Sequence, residues 1–466
     1  MSRKRFKLID IEWPEFGQCS PPARTPATEF EKRIEKTREK MEELGLTHLV
    51  VYGDREHFAN LAYLSGMDPR FEEALLIMSS TGIPLIVVGI ECYDYLHASP
   101  LYKLGKLRSE CYRTFSLMNM PREGSRFIEE IFRSEGIGKS SKVGCAGWKY
   151  YSEAELPDSL HAIDMPSYLV DTLRRLSGYE NVVNATGIFI DPDSGLRTYC
   201  SVDEIAYFEF TNVLASEGVK RIIFGLREGM TDYELAALSN YNGVPLGCHM
   251  TLATGENNAG LASPAGEVIR RGSTLSTNIC YWGSNICRAG WIAETAADLP
   301  PQAQDYVENF AGEYFEVMCE WLEMLKIGAC GGEFAKLISE KLPLNKFGIK
   351  LNPGHLIHLD EWVSSPFYQG SNIKLHSGMM IQADIIPYSE RYFSTRMEDG
   401  LVLADVQLRE ELRKQYPECY ERCMKRREFM INTLGIELNE EVLPLSNIPA
   451  IVPPFFLKPN LVFAVH

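Results

Sequence analysis

The sequence predicts an α/β protein of two domains, and three observations carry the prediction. Helical spacing alternates with short apolar runs from about residue 27 to 190. The turn-rich stretch Asp191-Pro192-Asp193-Ser194-Gly195 then interrupts it, and beyond that stretch one local pattern occurs twice. At 466 residues the chain is long enough for two domains or more.

In chain order, the first 25 or so residues carry Pro14, Pro21 and Pro22, with Pro26 just after, and read as an extended arm. Thr28 and Glu31 form a capping-box pattern before Phe30, Ile34, Met41 and Leu44, which share one helical face, and Gly45 stops the helix. Strands are expected at Thr47 to Tyr52, Ala74 to Met78, Ile83 to Val88 and Val143 to Cys145. After the linker a new helix opens at Ser201, with Glu204 three residues on and Ile205, Phe208, Ala215, Val219 and Ile222 in helical spacing.

In the second domain Gly229-Met230-Thr231-Asp232-Tyr233-Glu234-Leu235-Ala236 recurs as Gly328-Ala329-Cys330-Gly331-Gly332-Glu333-Phe334-Ala335, each copy after a long helix. Two copies are too few for a solenoid, so a pseudo-twofold single domain fits them better. Arg409 to Leu434 reads as one or two charged helices broken at Pro417, and Pro453-Pro454 marks an extended tail.

Composition excludes several classes of function. Hydrophobic residues at 45% and charged residues at 24% are those of a globular protein, and a net charge of -16 argues against a nucleic-acid or anionic-membrane surface. Partners are expected to be small molecules or other subunits. The twelve cysteines are scattered, with Cys280/Cys287 and Cys419/Cys423 the close pairs and no zinc-finger spacing. No apolar run reaches eighteen residues and Met1-Ser2-Arg3-Lys4-Arg5 opens no cleavable signal, so reduced thiols in the cytoplasm are expected.

The chemistry concentrates between Leu351 and Leu403. His355 follows Pro353-Gly354, Asp384 lies in the apolar run Ile381 to Ile386 before Pro387, and Glu398 follows Arg396-Met397 and precedes Asp399-Gly400. A buried carboxylate needs a cation, a hydrogen-bond partner or a proton. One His and two carboxylates on strand-like segments, each at a Gly or Pro break, could meet at one cation or proton-transfer site.

The order and spacing of these three residues resemble the second half of the metal site in the M24 family, which includes aminopeptidase P, prolidase, methionine aminopeptidase and creatinase. The resemblance implies a creatinase/prolidase-type domain over 27–190, a pita-bread domain with internal duplication over 196–405, and a helical appendage and tail over 406–466. It also implies two upstream aspartates about eleven residues apart. Anchored on Arg270-Arg271-Gly272-Ser273, these positions hold Asn278 and, ungapped, Ala289, and no Asp, Glu or His occurs from Val268 to Ala293. Two family histidines align with Leu261 and Trp362.

A dinuclear site is therefore not expected. The pocket is read as metal-free, or as holding one divalent ion on His355, Asp384 and Glu398. Catalysis falls to the same three residues, with His355 as a base held by Glu398 or Asp384. Substrate contacts are expected from Arg288, Asn285, Asn278, Trp362, His249 and Arg70, and pocket lining from Thr254-Gly255-Glu256-Asn257-Asn258. Arg288 is expected to pair with Asp384, Glu398 or a bound anion in place of the missing metal charge. The function expected is hydrolysis of a C–N bond in a small carboxylate-bearing substrate by a homodimer. The alternatives are a non-catalytic binding or regulatory protein and an Xaa-Pro aminopeptidase or dipeptidase.

Overall fold

The computed structural model describes residues 5–22, 24–255 and 260–466. They form two compact units, one made of the described residues up to Pro22 together with Thr198–His466, the other of the intervening chain to Arg197. The proline-containing arm is only partly free-running. Its strand β1 (Phe6–Asp10) pairs antiparallel with the last strand of the chain, Leu461–Val465.

The unit ending at Arg197 is built on one six-stranded mixed sheet. Strands β2 (His48–Gly53), β3 (Ala74–Ser79), β4 (Leu85–Val88), β5 (Arg108–Cys111), β6 (Val143–Ala146) and β7 (Val182–Asn184) lie in the order β5-β4-β3-β2-β6-β7. The runs in β2, β3, β4 and β6 are apolar without alternation because nearly every residue in them is buried, as expected of a sheet covered on both faces. The first helix is Ala27–Glu43. It starts behind Pro26 with no side-chain cap, so Thr28 sits inside the helix rather than capping it. The Asp191 stretch is an Asx turn rather than a loose linker. Asp191 Oδ1 accepts from the N–H groups of Asp193 and Ser194, and the next residues return to the unit through Leu196 N–H to Ile188 O and Arg197 N–H to Phe189 O.

In the other unit the Val202–Gly225 helix carries the expected capping box. Ser201 Oγ accepts from Glu204 N–H at 3.4 Å and Glu204 Oε2 from Ser201 N–H at 2.8 Å. Two sheets follow. Strands β8 (Thr251–Thr254), β9 (Thr274–Tyr281) and β10 (Ser284–Trp291) form the first, in the order β10-β9-β8. The second contains β11 (His355–Leu356), β12 (Met380–Gln382), β13 (Gly400–Leu403) and β14 (Val442–Pro444), all antiparallel in that order; β15 (Leu461–Val465) is the partner of β1. Since β14 and β15 come from the expected appendage, residues 406–466 are built into this unit, behind the helices Val406–Gln415 and Pro417–Asn432.

The duplicated pattern has the same local geometry in both copies. Gly229 and Gly328 are both left-handed, with φ +88 and +84. Gly229 N–H donates to Ile269 O and Ile269 N–H to Met230 O. Gly328 N–H donates to Leu375 O and Leu375 N–H to Ala329 O. A helix opens inside each copy, Asp232–Ala237 and Gly331–Lys341, and an antiparallel sheet comes later in the chain. Among the described residues no helix is long and apolar enough to cross a membrane.

Candidate active site

Strand register brings the three chemistry-bearing residues together. His355 pairs with Gln382 and Gln382 with Gly400, so these three side-chain positions share one face. Two residues on from Gln382 is Asp384, and two residues back from Gly400 is Glu398. The register continues past the assigned strands through Ala383 N–H to Asp399 O at 3.2 Å, so Asp384 and Glu398 lie opposite each other. Donor atoms of His355, Asp384 and Glu398 all fall within 4.8 Å of one another, and all three residues are buried. Gly354 precedes His355 for a steric reason. Its φ is +108, and a Cβ there would stand 2.9 Å from the Trp321 ring and 3.0 Å from Gln382 O.

The β9–β10 hairpin closes the site. Its two-residue turn, Trp282-Gly283, sets Tyr281 opposite Ser284, hence Asn278 opposite Cys287 and Asn285 opposite Cys280. Asn278, Asn285 and Cys287 therefore share a face, and Cys287 exchanges backbone hydrogen bonds with Glu398 at 3.3 and 3.4 Å. Ala289 pairs with Ser276, so Cys287, and not Ala289, is the cross-strand neighbour of Asn278.

Alternation puts Arg288 on the opposite face, and the expected pairing with Asp384 or Glu398 carboxylates is not found. Its guanidinium instead grips Asp399 at 3.1 and 2.9 Å and the carbonyls of Ile448, Ile451, Cys287 and Glu398, with 1% of the side chain exposed. The cation on the site face is Arg396, two residues before Glu398 and hence on its side of the strand. Its Nη1 donates to Cys287 Sγ at 3.4 Å, its Nε has no hydrogen-bond partner, and a Cβ on Gly260 would come within 2.8 Å of Nη2.

Glu361, six residues after His355, supplies a third carboxylate. Its Oε1 lies 3.1 Å from His355 Nε2 and accepts from Asn285 Nδ2 at 3.3 Å. Asn285 Oδ1 accepts from Asn278 Nδ2 at 3.1 Å, and Asn278 Oδ1 accepts from the Thr251 N–H at 2.8 Å and from the Thr251 hydroxyl. Trp362 stacks on the His355 ring with centroids 4.1 Å apart and planes 17° from parallel. His355 Nδ1 faces the Leu356 carbonyl at 3.1 Å.

These neighbours move the ionisations apart. Burial pushes the Asp384 carboxyl up to about 6, with Glu361 adding to the rise and His355 and Arg396 opposing it. Burial, then the charge of Asp384, holds Glu398 well above the usual carboxylate range. Burial works to lower His355, but Glu361 and Asp384 outweigh it and the imidazole is raised. Burial works to raise Glu361, but His355 and the Asn285 amide together outweigh it and the carboxyl is lowered. Asp384 Oδ1 and Glu398 Oε1 are buried without a hydrogen-bond partner, and His355 Nε2, although at ion-pair distance from Glu361 Oε1, makes no aligned hydrogen bond to it.

Two metals do not fit this donor set. Both ends of the Asn278 amide are committed to Thr251 and Asn285, and Cys287 accepts from a guanidinium. Cys200, Glu204 and His358 form a second compact group. There Glu204 holds both its helix cap and His358 Nε2 at 2.8 Å, in an apolar core with Phe208 edge-on to the imidazole.

His249 is exposed on a loop before β8, not in a strand. Arg70, in the other unit, donates to Tyr95 OH at 2.6 Å, lies 3.5 Å from Asp68 and covers the Tyr95 ring. Leu261 is 74% exposed. Of the expected pocket lining, Thr254 ends β8, while Glu256-Asn257-Asn258 lies outside the described residues. Sequence reasoning gave no role to Glu361, Arg396 or Cys287. Counting across the Trp282-Gly283 turn and stepping two residues back from Glu398 are the signals for the last two; nothing local marks Glu361.

No protein-family model matches the chain, and no curated protein matches it. Solved structures do. The prolidase of Pyrococcus horikoshii OT3 superposes with a TM-score of 0.60 at 16% identity, covering 80% of this chain and 95% of that one. The Xaa-Pro dipeptidase of Bacillus anthracis gives 0.60 at 15%, covering 81% and 96%. The X-Pro aminopeptidase of Thermotoga maritima MSB8 gives 0.58 at 16%, covering 80% and 95%. At these identities the likeness is one of fold.

Proposed function

We propose, from a fold shared with the M24 prolidases and aminopeptidase P, that this chain is a hydrolase of a C–N bond in a small carboxylate-bearing molecule, working without a dinuclear metal centre. The observation that carries the reading is the buried convergence of His355, Asp384 and Glu398 with Arg396 on one face of two facing strand sets. Structures of the same fold are named for Xaa-Pro bonds, and an Xaa-Pro bond is a C–N bond.

The separated ionisations support a division of roles. Asp384, raised to about 6, is mostly ionised at neutral pH and takes a proton from water as the water oxygen bonds to the carbon under attack. His355 is raised and serves as the acid rather than the base, giving its Nε2 proton to the departing nitrogen as the C–N bond breaks. Asp384 then returns its proton to His355. Glu398, whose burial favours its protonated form, would donate a hydrogen bond to the atom that gains charge at the attacked carbon. Arg396, whose Nε is unpartnered, suits a substrate carboxylate.

Protein purified without added metal, assayed for bound metal and screened against dipeptides and small amide or guanidino compounds, tests the reading. Hydrolysis with fewer than two metal equivalents per chain supports it. Tight binding without hydrolysis moves the chain to the non-catalytic alternative, and two equivalents required for turnover return it to the Xaa-Pro metallopeptidases.

A further inference from the structure

We infer that Cys248 and Cys280 form a modification site, a dithiol that a small peroxide converts to an intramolecular disulfide beside the candidate active site; the inference does not depend on the hydrolase reading. The backbone places the two sulfurs together. Leu246 pairs with Tyr281 and Thr251 with Asn278, so the residues 247–250 face only Ile279 and Cys280 and must bulge. Gly247 N–H holds the bulge down through Cys280 O at 3.1 Å, and a Cβ on Gly247 would stand 3.0 Å from Cys280 Sγ and 3.2 Å from Tyr281 O. The next residue, Cys248, turns back over the hairpin. Its Sγ accepts from Asn278 Nδ2 at 3.9 Å, and its thiol is hydrogen-bonded with that of Cys280. One step of about 3.3 Å along strands about 4.8 Å apart keeps two α-carbons within the roughly 4.4 to 6.8 Å that a disulfide spans.

The two thiols differ in access. Cys280 is fully buried, and burial followed by the bond to Cys248 raises its thiol well above the ordinary value, whereas Cys248 is partly exposed. Cys248 is therefore the sulfur that meets an oxidant and Cys280 the one that resolves it. The Cys248 thiolate attacks one oxygen of hydrogen peroxide, the O–O bond breaks, and the departing hydroxide takes a proton to leave water and a sulfenic acid on Cys248. Cys280 Sγ then attacks Cys248 Sγ, the S–O bond breaks, and the hydroxide leaves with the Cys280 proton as a second water. One peroxide is reduced and two thiols are oxidised. Cys19 and Cys330, also partly exposed, lie against Glu209 with Arg422 and against Ser371 O; Cys419 and Cys423 touch, but both are buried. The disulfide ties the 247–250 bulge to the strand that carries Asn278, whose amide leads through Asn285 to Glu361.

The test is titration of the reduced full-length chain with hydrogen peroxide, followed by unfolding, alkylation of the remaining thiols and peptide mass mapping. Cys248 and Cys280 should lose alkylation together, two thiols for each peroxide, and appear in one peptide pair joined by a bond that dithiothreitol opens. Cys248→Ser should leave Cys280 fully alkylated after the same treatment. In Cys280→Ser the sulfenic acid has no resolving thiol, so dimedone should trap it on Cys248. The wild-type map decides the matter if either variant does not fold. Oxidation of Cys248 while Cys280 stays alkylatable, a first disulfide at Cys419 and Cys423 or between two chains, survival of both thiols in an excess of peroxide that oxidises free cysteine, or no dimedone adduct in folded Cys280→Ser would overturn the inference.

Discussion

His355 is held on three sides before any substrate arrives, by the Leu356 carbonyl, the Trp362 ring and the Glu361 carboxylate. Replacing it with Gln should keep the fold and cost turnover about 100- to 10,000-fold, the usual contribution of a general acid; near-normal kcat would exclude it. With Asp384 as base and His355 as acid, kcat/KM should rise with pH through about 6 and fall again where His355 loses its proton, above the ordinary imidazole range. Stability follows a related logic. Glu398 titrates higher folded than unfolded, so the folded state holds an extra proton between the two values, and stability falls as pH rises from the unfolded value through the folded one. Glu398→Gln cannot ionise and should flatten that loss in melts at pH 5 and pH 8; equal slopes in variant and wild type would contradict the assignment. His355, Asp384 and Glu398 were legible in sequence because Gly354, the Ile381–Ile386 run and Gly400 mark strand positions. Glu361 was not, because its contact with His355 is made by a loop whose path no periodicity encodes.

At the scale of the strand, one residue of parity decides function. Arg288 and Arg396 are both arginines near the cluster, yet Arg288 points away from it and Arg396 towards it. The ungapped count to Ala289 missed the pairing of Cys287 with Asn278, which the two-residue turn at Trp282-Gly283 sets, but either count puts Arg288 on the opposite face. Arg288→Ala would leave Asp399 buried without its cation and should cost roughly 3 to 5 kcal/mol in urea unfolding, the range for breaking a buried pair. It should leave substrate affinity of the folded protein unchanged. Arg396→Ala should do the opposite, raising KM for a carboxylate-bearing substrate about 10- to 100-fold, the loss of one or two charge-assisted hydrogen bonds. If the Arg288 variant instead changes KM and leaves stability alone, the two roles are exchanged.

Across the whole molecule, the duplicated Gly-Glu-Ala pattern was visible in sequence because each copy needs a left-handed glycine before a helix. The pairing of β14 with β13 and of β15 with β1 was not, since long-range register leaves no local trace. The homodimer implied by the family resemblance predicts twice the chain mass of 52.7 kDa by light scattering, and a monomer would remove it. The proposed chemistry asks the protein's own charges, His355 with Glu361 and Arg396 beside Asp384 and Glu398, to stand in for a metal pair. Turnover of a dipeptide, amide or guanidino substrate, measured on one sample before and after dialysis against a chelator with metal content determined at both stages, tests this most directly. The proposal predicts a rate that does not change as residual metal is removed; a rate that disappears and returns in proportion to two added equivalents of divalent ion would contradict it.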